Sequence, residues 1–164
     1  MIKNRLILLV TVLFFNAFIN TSIQAKLGYH VGETGPDFTL KTLSGEKFSL
    51  TQLRKKGHVL LVFWGVECVY CYSHIKDLNA LHEKYHDNGL TVAAINIAGE
   101  YDPEVAEYVK DNALKYLVLS DRLNNLDVAS TYHVVGYPRL VLISPEGKIL
   151  SVGSDIPDVS KWLE

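Results

Sequence analysis

The sequence predicts an α/β domain: a mostly parallel central sheet covered by helices on both faces, with an antiparallel hairpin at one side. Three observations carry this. Apolar, β-branched runs at Val59 to Trp64, Thr91 to Ala98 and Tyr116 to Leu119 alternate with stretches of helical or polar character. Turn formers punctuate each junction. The 164 residues are 48% hydrophobic and 21% charged, enough for one buried core and one domain. Two Cys exclude a disulfide-stapled scaffold. Sixteen Lys and Arg against eighteen Asp and Glu leave −2, which offers no basic face to a phosphate backbone, so no nucleic-acid partner is expected.

The first 25 residues stand apart from that domain. Lys3 and Arg5 precede the apolar run Leu6 to Ile19, and Ala25 supplies a small residue where a signal peptidase would cut. We read residues 1–25 as a secretory signal and residues 26–164 as the mature domain, located in the periplasm. The competing reading is an uncleaved membrane anchor, since the run extended to Ile23 approaches the roughly 20 residues a span needs. A lipid anchor on an N-terminal Cys is excluded, because no Cys precedes Cys68. Export would place both thiols where disulfides persist.

Gly35-Pro36 opens the domain. Phe38 to Leu40 and Phe48 to Leu50 alternate apolar and polar residues around Ser44-Gly45 and read as a hairpin. The strand Val59 to Trp64 leads into a helix from about Val69 to Asn88, stopped by Gly89. After the strand Thr91 to Ala98, Pro103 occupies the favoured first turn of a polar helix. Tyr116 to Leu119 is a third strand and Asn124 to Tyr132 a short helix. Arg139 to Ile143 and Ile149 to Val152 pair across Pro145 to Lys148.

Cys68-Val69-Tyr70-Cys71 lies between the first buried strand and the helix that follows it. Unpaired N–H groups and the macrodipole at a helix start favour an anion, so a Cys68 thiolate is stabilised there and becomes a nucleophile near neutral pH. Cys71, one turn on, is placed to resolve a mixed disulfide made by Cys68. Three other readings compete with this one. Structural zinc wants four ligands, and this is the chain's one Cys pair. Covalent haem needs His directly after the second Cys, where Tyr72 stands. An inert disulfide closing so short a loop would constrain the unfolded chain little.

Gly35-Pro36-Asp37-Phe38-Thr39-Leu40, Phe63-Trp64-Gly65, the Cys pair, Gly136-Tyr137-Pro138 and Ser144-Pro145-Glu146-Gly147-Lys148, in that order, resemble the exported TlpA/ResA-like branch of the thioredoxin superfamily. The resemblance spans residues 33 to 155. It implies a thioredoxin fold with a mixed central sheet, an N-terminal β-hairpin and an extra strand-helix insertion. It further implies a cis Pro138, with Tyr137 offering its N–H and C=O to an extended substrate segment. A trans Pro138 that merely starts a strand is the plainer alternative.

The chain departs from that branch at informative positions. Glu67 stands where Trp usually precedes the first Cys, and a carboxylate there opposes the thiolate and makes the pair more reducing. Val62 and His74 occupy the positions of the usual acidic proton acceptors. His74 shares a helical stripe with Leu78, Leu81 and Tyr85, so it reads either as a replacement base for Cys71 or as a hydrogen-bonded helix histidine without a role. Tyr70, Tyr72 and Tyr137 form either a docking rim or part of the core, and Trp64 is counted with the substrate contacts. His82-Glu83-Lys84-Tyr85-His86 matches the HExxH pattern of zinc peptidases, but Tyr85 belongs to the core stripe and no third ligand follows; no metal is expected.

The resulting expectation is an exported, monomeric thiol-disulfide oxidoreductase with no cofactor beyond a redox-active Cys68–Cys71 disulfide. It would reduce disulfides of other exported proteins, apocytochrome c among the candidates, and draw electrons from a membrane or exported donor. Val134 to Pro138 partly resembles the stretch found in relatives that serve cytochromes, whereas Arg139 departs from it. The rivals are a non-catalytic binding module on the same fold and a peroxidase. The latter lacks the Pro and Thr that a peroxide-binding loop would place before Cys68.

Overall fold

The computed structural model describes residues 26–122 and 127–163. The expected signal, residues 1–25, and the start of the expected helix at 124–126 lie outside the described residues. A seven-stranded mixed sheet forms the centre. In chain order the elements are β1 (Thr39–Thr42), β2 (Lys47–Ser49), α1 (Leu50–Arg54), β3 (His58–Trp64), α2 (Val69–Tyr85) and β4 (Leu90–Asn96). They continue as α3 (Asp102–Asp111), β5 (Leu117–Ser120), α4 (Asp127–Thr131), β6 (Arg139–Ile143), β7 (Ile149–Gly153) and α5 (Ser160–Leu163).

The strand order is β2-β1-β5-β4-β3-β6-β7. Only β5, β4 and β3 run parallel to their neighbours in that set, and antiparallel strands flank them on both sides. The mostly parallel sheet expected from alternating strand and helix is therefore corrected. Only the βαβ crossovers enforce parallel pairing; β1 joins β5 and β6 joins β3 in the opposite sense. The extra unit is α3 leading into β5, which inserts a strand between β4 and β1.

Period-two alternation in β3 divides the interior into two cores. Val59, Leu61 and Phe63 face one cluster with Leu50 and Leu53 of α1, Val128 and Ala129 of α4, and Tyr132. Leu60, Val62 and Trp64 face the other with Cys71, Leu78 and Tyr85 of α2 and Val105 of α3. Helix α1 was read as the end of a strand. Ser49 Oγ accepts the Gln52 amide and Gln52 Oε1 accepts the Ser49 amide, a reciprocal cap that turns the chain into a helix at Leu50. Asp37 fastens the same turn by accepting both the Thr51 amide and its hydroxyl. Gly89, at φ +86°, takes the left-handed turn between α2 and β4.

Residues 26–34 lie along the outer side of the sheet. Ile149 at the start of β7 donates its amide to the Glu33 carbonyl and accepts the Gly32 amide, and Thr34 bridges to Lys148. Tyr29 stacks on His133 with ring centroids 4.8 Å apart, which ties this segment to the loop before β6.

Candidate active site

Three adjacent strands end or begin at one edge of the sheet and deliver the site. β3 runs into Gly65 to Cys68, β4 into Ile97 to Glu100, and the loop His133 to Pro138 enters β6. Cys68 and Cys71 form a disulfide. Cys68 is the N-cap of α2, and its Sγ accepts the Cys71 amide at 3.0 Å. A sulfur thus occupies the place where capping oxygens usually satisfy the first amides of a helix. Both residues are nearly covered, Cys68 7% and Cys71 6% exposed, so in the disulfide form exposure does not separate them. The hydrogen bond does: only Cys68 sits where thiolate charge meets the helix start.

Around the sulfurs the surface is apolar and aromatic. Val69 and Tyr70 are 78% and 76% exposed, Tyr72 is 60% and Tyr137 43%. These tyrosines lie on the surface and not in the core. Trp64 is placed differently from its expected contact role: only 4% exposed, it packs on Tyr108 with ring centroids 5.3 Å apart. With Val62, Cys71, Leu78 and Tyr116 it walls a small cavity behind the Cys pair. Burial pushes the Tyr108 and Tyr116 hydroxyls above the usual tyrosine range, so both stay neutral there. The Tyr137–Pro138 peptide bond is cis, as the resemblance implies. A groove of about 500 Å³ borders Tyr137, lined by Ile97, Ala129, His133, Val134 and Val135.

The modulating residues fall into two kinds of place. Glu67 is exposed to solvent. His74, half-buried one turn beyond Cys71, directs Nε2 to the Ser154 carbonyl at 3.1 Å; a carbonyl only accepts, so Nε2 is the donor, and in the neutral ring Nδ1 is the nitrogen with the lone pair. His82 and His86 pack as tilted rings with centroids 5.0 Å apart at the far end of α2, while Glu83 pairs with Lys115. No cluster of three metal-ligating side chains occurs among the described residues.

Sequence reasoning missed Glu100. Its Oε1 accepts the Val66 amide at 2.7 Å, two residues before Cys68, and its Oε2 accepts Nδ2 of the fully buried Asn96 at 3.0 Å. Gly65 permits this approach: a Cβ there would lie 2.6 Å from Ala98 Cβ and 3.2 Å from Glu100 Oε1. A lone Glu in a loop after a strand carries no pattern that would single it out.

Residues 31–152 match the AhpC/TSA family. A thiol-disulfide oxidoreductase ResA of Geobacillus thermodenitrificans is 32% identical over 147 residues, covering 90% of this chain and 82% of the relative. The chain belongs to the ResA-like thiol-disulfide oxidoreductases of the AhpC/TSA family. A ResA of Bacillus thuringiensis is 33% identical over 73% of this chain and 67% of its own length. Among solved structures, the thioredoxin domain of a thiol-disulfide oxidoreductase from Bacteroides vulgatus superposes with a TM-score of 0.74 at 23% identity, covering 82% of this chain and 99% of the other. A thiol:disulfide interchange protein from a Bacteroides species gives 0.72 at 25% identity, covering 82% and 90%. This ResA-like chain thus has the thioredoxin fold in which its Cys pair was expected to lie.

Proposed function

We propose that this ResA-like chain is exported, works in the periplasm and reduces disulfides in other exported proteins, with Cys68 attacking and Cys71 resolving. The observation that carries the reading is the Cys68 sulfur at the cap of α2, accepting the Cys71 amide, beneath a rim of exposed tyrosines. In the first step the Cys68 thiolate attacks one sulfur of a substrate disulfide. The substrate S–S bond breaks, a mixed disulfide forms, and the other substrate sulfur leaves as thiolate and takes a proton. Cys71, deprotonated, then attacks Cys68 Sγ, and the second substrate thiol departs. The substrate gains two electrons, and the Cys68–Cys71 disulfide is left for an exported or membrane-bound donor to reduce.

Tyr137, half exposed beside the groove, is the proposed contact for an extended substrate segment through its backbone N–H and C=O. The His74 Nδ1 lone pair is the proposed acceptor for the Cys71 proton. Glu67, like-charged to the thiolate, biases the pair toward the disulfide and hence toward donating electrons. The proposed client is a flexible segment with a short-loop disulfide, of which the apocytochrome c Cys pair is one example.

Equilibration with a glutathione buffer tests the direction. A reductant should lie below the roughly −200 to −230 mV of glutaredoxin-type sites. A value near the oxidising end, about −120 mV, would make the chain a disulfide donor and overturn the proposal.

A further inference from the structure

We infer that Glu100 is the positioning residue of the Cys68–Cys71 site, holding the loop before Cys68 through the Val66 amide and making the pair more reducing by its charge. The inference rests on the oxidoreductase reading above and adds to it a residue from the loop that follows β4. Three facts carry it. The carboxylate is half-buried and both its oxygens are committed, one to the Val66 amide at 2.7 Å and the other to Asn96 Nδ2 at 3.0 Å. Asn96 is fully buried in the last position of β4, so the carboxylate is anchored to the sheet and not to a mobile surface. Finally, the place where a Gly65 Cβ would stand is 3.2 Å from Glu100 Oε1 and 3.3 Å from Tyr137 Cε2, so Gly65, at the start of the Cys loop, faces both this carboxylate and the ring of the proposed substrate contact.

Two separable consequences follow from chemistry. The hydrogen bond fixes the backbone two residues upstream of the attacking sulfur, which sets where that sulfur stands relative to an incoming disulfide. The negative charge, half-buried on the backbone two residues upstream of Cys68, disfavours the thiolate and so disfavours the dithiol form relative to the disulfide. Among the described residues, Glu100 is the carboxylate seen hydrogen-bonded to the loop between β3 and Cys68.

Glu100→Gln separates the two roles. A Gln carbonyl can still accept the Val66 amide, and its NH2 can donate to Asn96 Oδ1, a buried acceptor without a hydrogen-bond partner, once the Asn96 amide turns over. Glu100→Ala removes both bonds. Hydrogen exchange of the Val66 amide, read by NMR on the oxidised full chain, should stay protected in Glu100→Gln and speed up at least tenfold in Glu100→Ala. The glutathione equilibrium constant of Glu100→Gln should move toward the dithiol by about threefold, and its Cys68 thiol should titrate about half a unit lower. Reduction of a model disulfide should fall in Glu100→Ala and recover in Glu100→Gln.

Unchanged Val66 exchange in Glu100→Ala would overturn the positioning role, and an unchanged glutathione equilibrium in Glu100→Gln would overturn the electrostatic one. If Glu100→Ala does not fold, Glu100→Gln and Asn96→Asp, which sets two carboxylates together, carry the same two readouts. Neither readout needs a physiological substrate. A parent protein that reduced no client would therefore sink the proposed function while leaving these measurements decisive for Glu100.

Discussion

Gly65→Ala places one methyl group where the site is tightest. The new Cβ would lie 2.6 Å from Ala98 Cβ, and apolar carbons settle at about 3.5–4.0 Å, so the Ala98 loop must retreat by roughly 1 Å. Ala98 is two residues from Glu100, and the retreat carries the carboxylate with it. A bond of 2.7 Å lengthened by that much falls outside hydrogen-bonding range. Overpacking costs about 1–3 kcal/mol and a lost hydrogen bond to a charged group about 1.5–3, and because one movement relieves the first by spending the second, about 2–4 kcal/mol is expected in total. With a urea dependence of about 2 kcal/mol per molar, the unfolding midpoint of the oxidised protein should drop by about 1–2 M. Reduction of a model disulfide should slow as well. Ala98→Gly removes the closest contact, so the double variant should recover more than half of the loss, and a cycle through both single variants should give a coupling of at least about 1 kcal/mol. An unchanged midpoint in Gly65→Ala, or a double variant no better than the single, would refute the steric account.

Cys71→Ser should accumulate mixed disulfides with client proteins, visible on non-reducing gels, whereas Cys68→Ser should not; equal trapping would reverse or erase the assigned roles. Tyr132→Phe should cost about 1–3 kcal/mol in denaturant unfolding, because the buried hydroxyl donates to the Pro36 carbonyl at 2.7 Å and its loss leaves that acceptor unmatched. Burial holds His58 and His82 below the ordinary histidine range, so the unfolded chain takes up their protons first as pH falls. Their contribution is fully present above the ordinary histidine pKa of about 6.5 and is lost as pH falls from there through their folded values. Urea midpoints between pH 7.5 and 5.5 should therefore decline, and more shallowly in the His58→Gln/His82→Gln variant.

The elements that the sequence disclosed were those whose pattern is local. β3 is an uninterrupted apolar run, α2 starts at a Cys pair and closes toward Gly89, and β6 and β7 flank Pro145 to Lys148; each was found within two or three residues of its bounds. Helix α1 escapes the sequence although Ser49 and Gln52 carry a capping signature, because Phe48 to Leu50 also alternates like a strand and the Asp37 contact that reinforces the cap comes from fourteen residues before Thr51. The antiparallel pairing of β1 with β5 was out of reach for a related reason: it joins segments about eighty residues apart whose own patterns name no partner. In the site, Cys68 and Cys71 are legible because their spacing at a helix start carries chemistry, and Pro138 through the family resemblance. Glu100 is not, since its meaning lies in an amide of the loop after another strand, thirty-four residues away. Trp64 was read outward because aromatics near a Cys pair suggest a contact, yet its place in β3 points it at α3, against Tyr108.

A protein whose proposed clients are flexible chains runs a hazard that most folded domains meet only by accident: any bare sheet margin can capture those chains. Both margins here are ill suited to it. β2 is only three residues long and carries an exposed Lys47, while the start of β7 is already occupied by residues 32–34 and its pairing with β6 slips register at Leu142/Ile143. In that sense residues 32–34 act as a guard rail: they close a false berth at the start of β7 and leave the proposed landing beside Tyr137, within reach of the thiol, to a docking client.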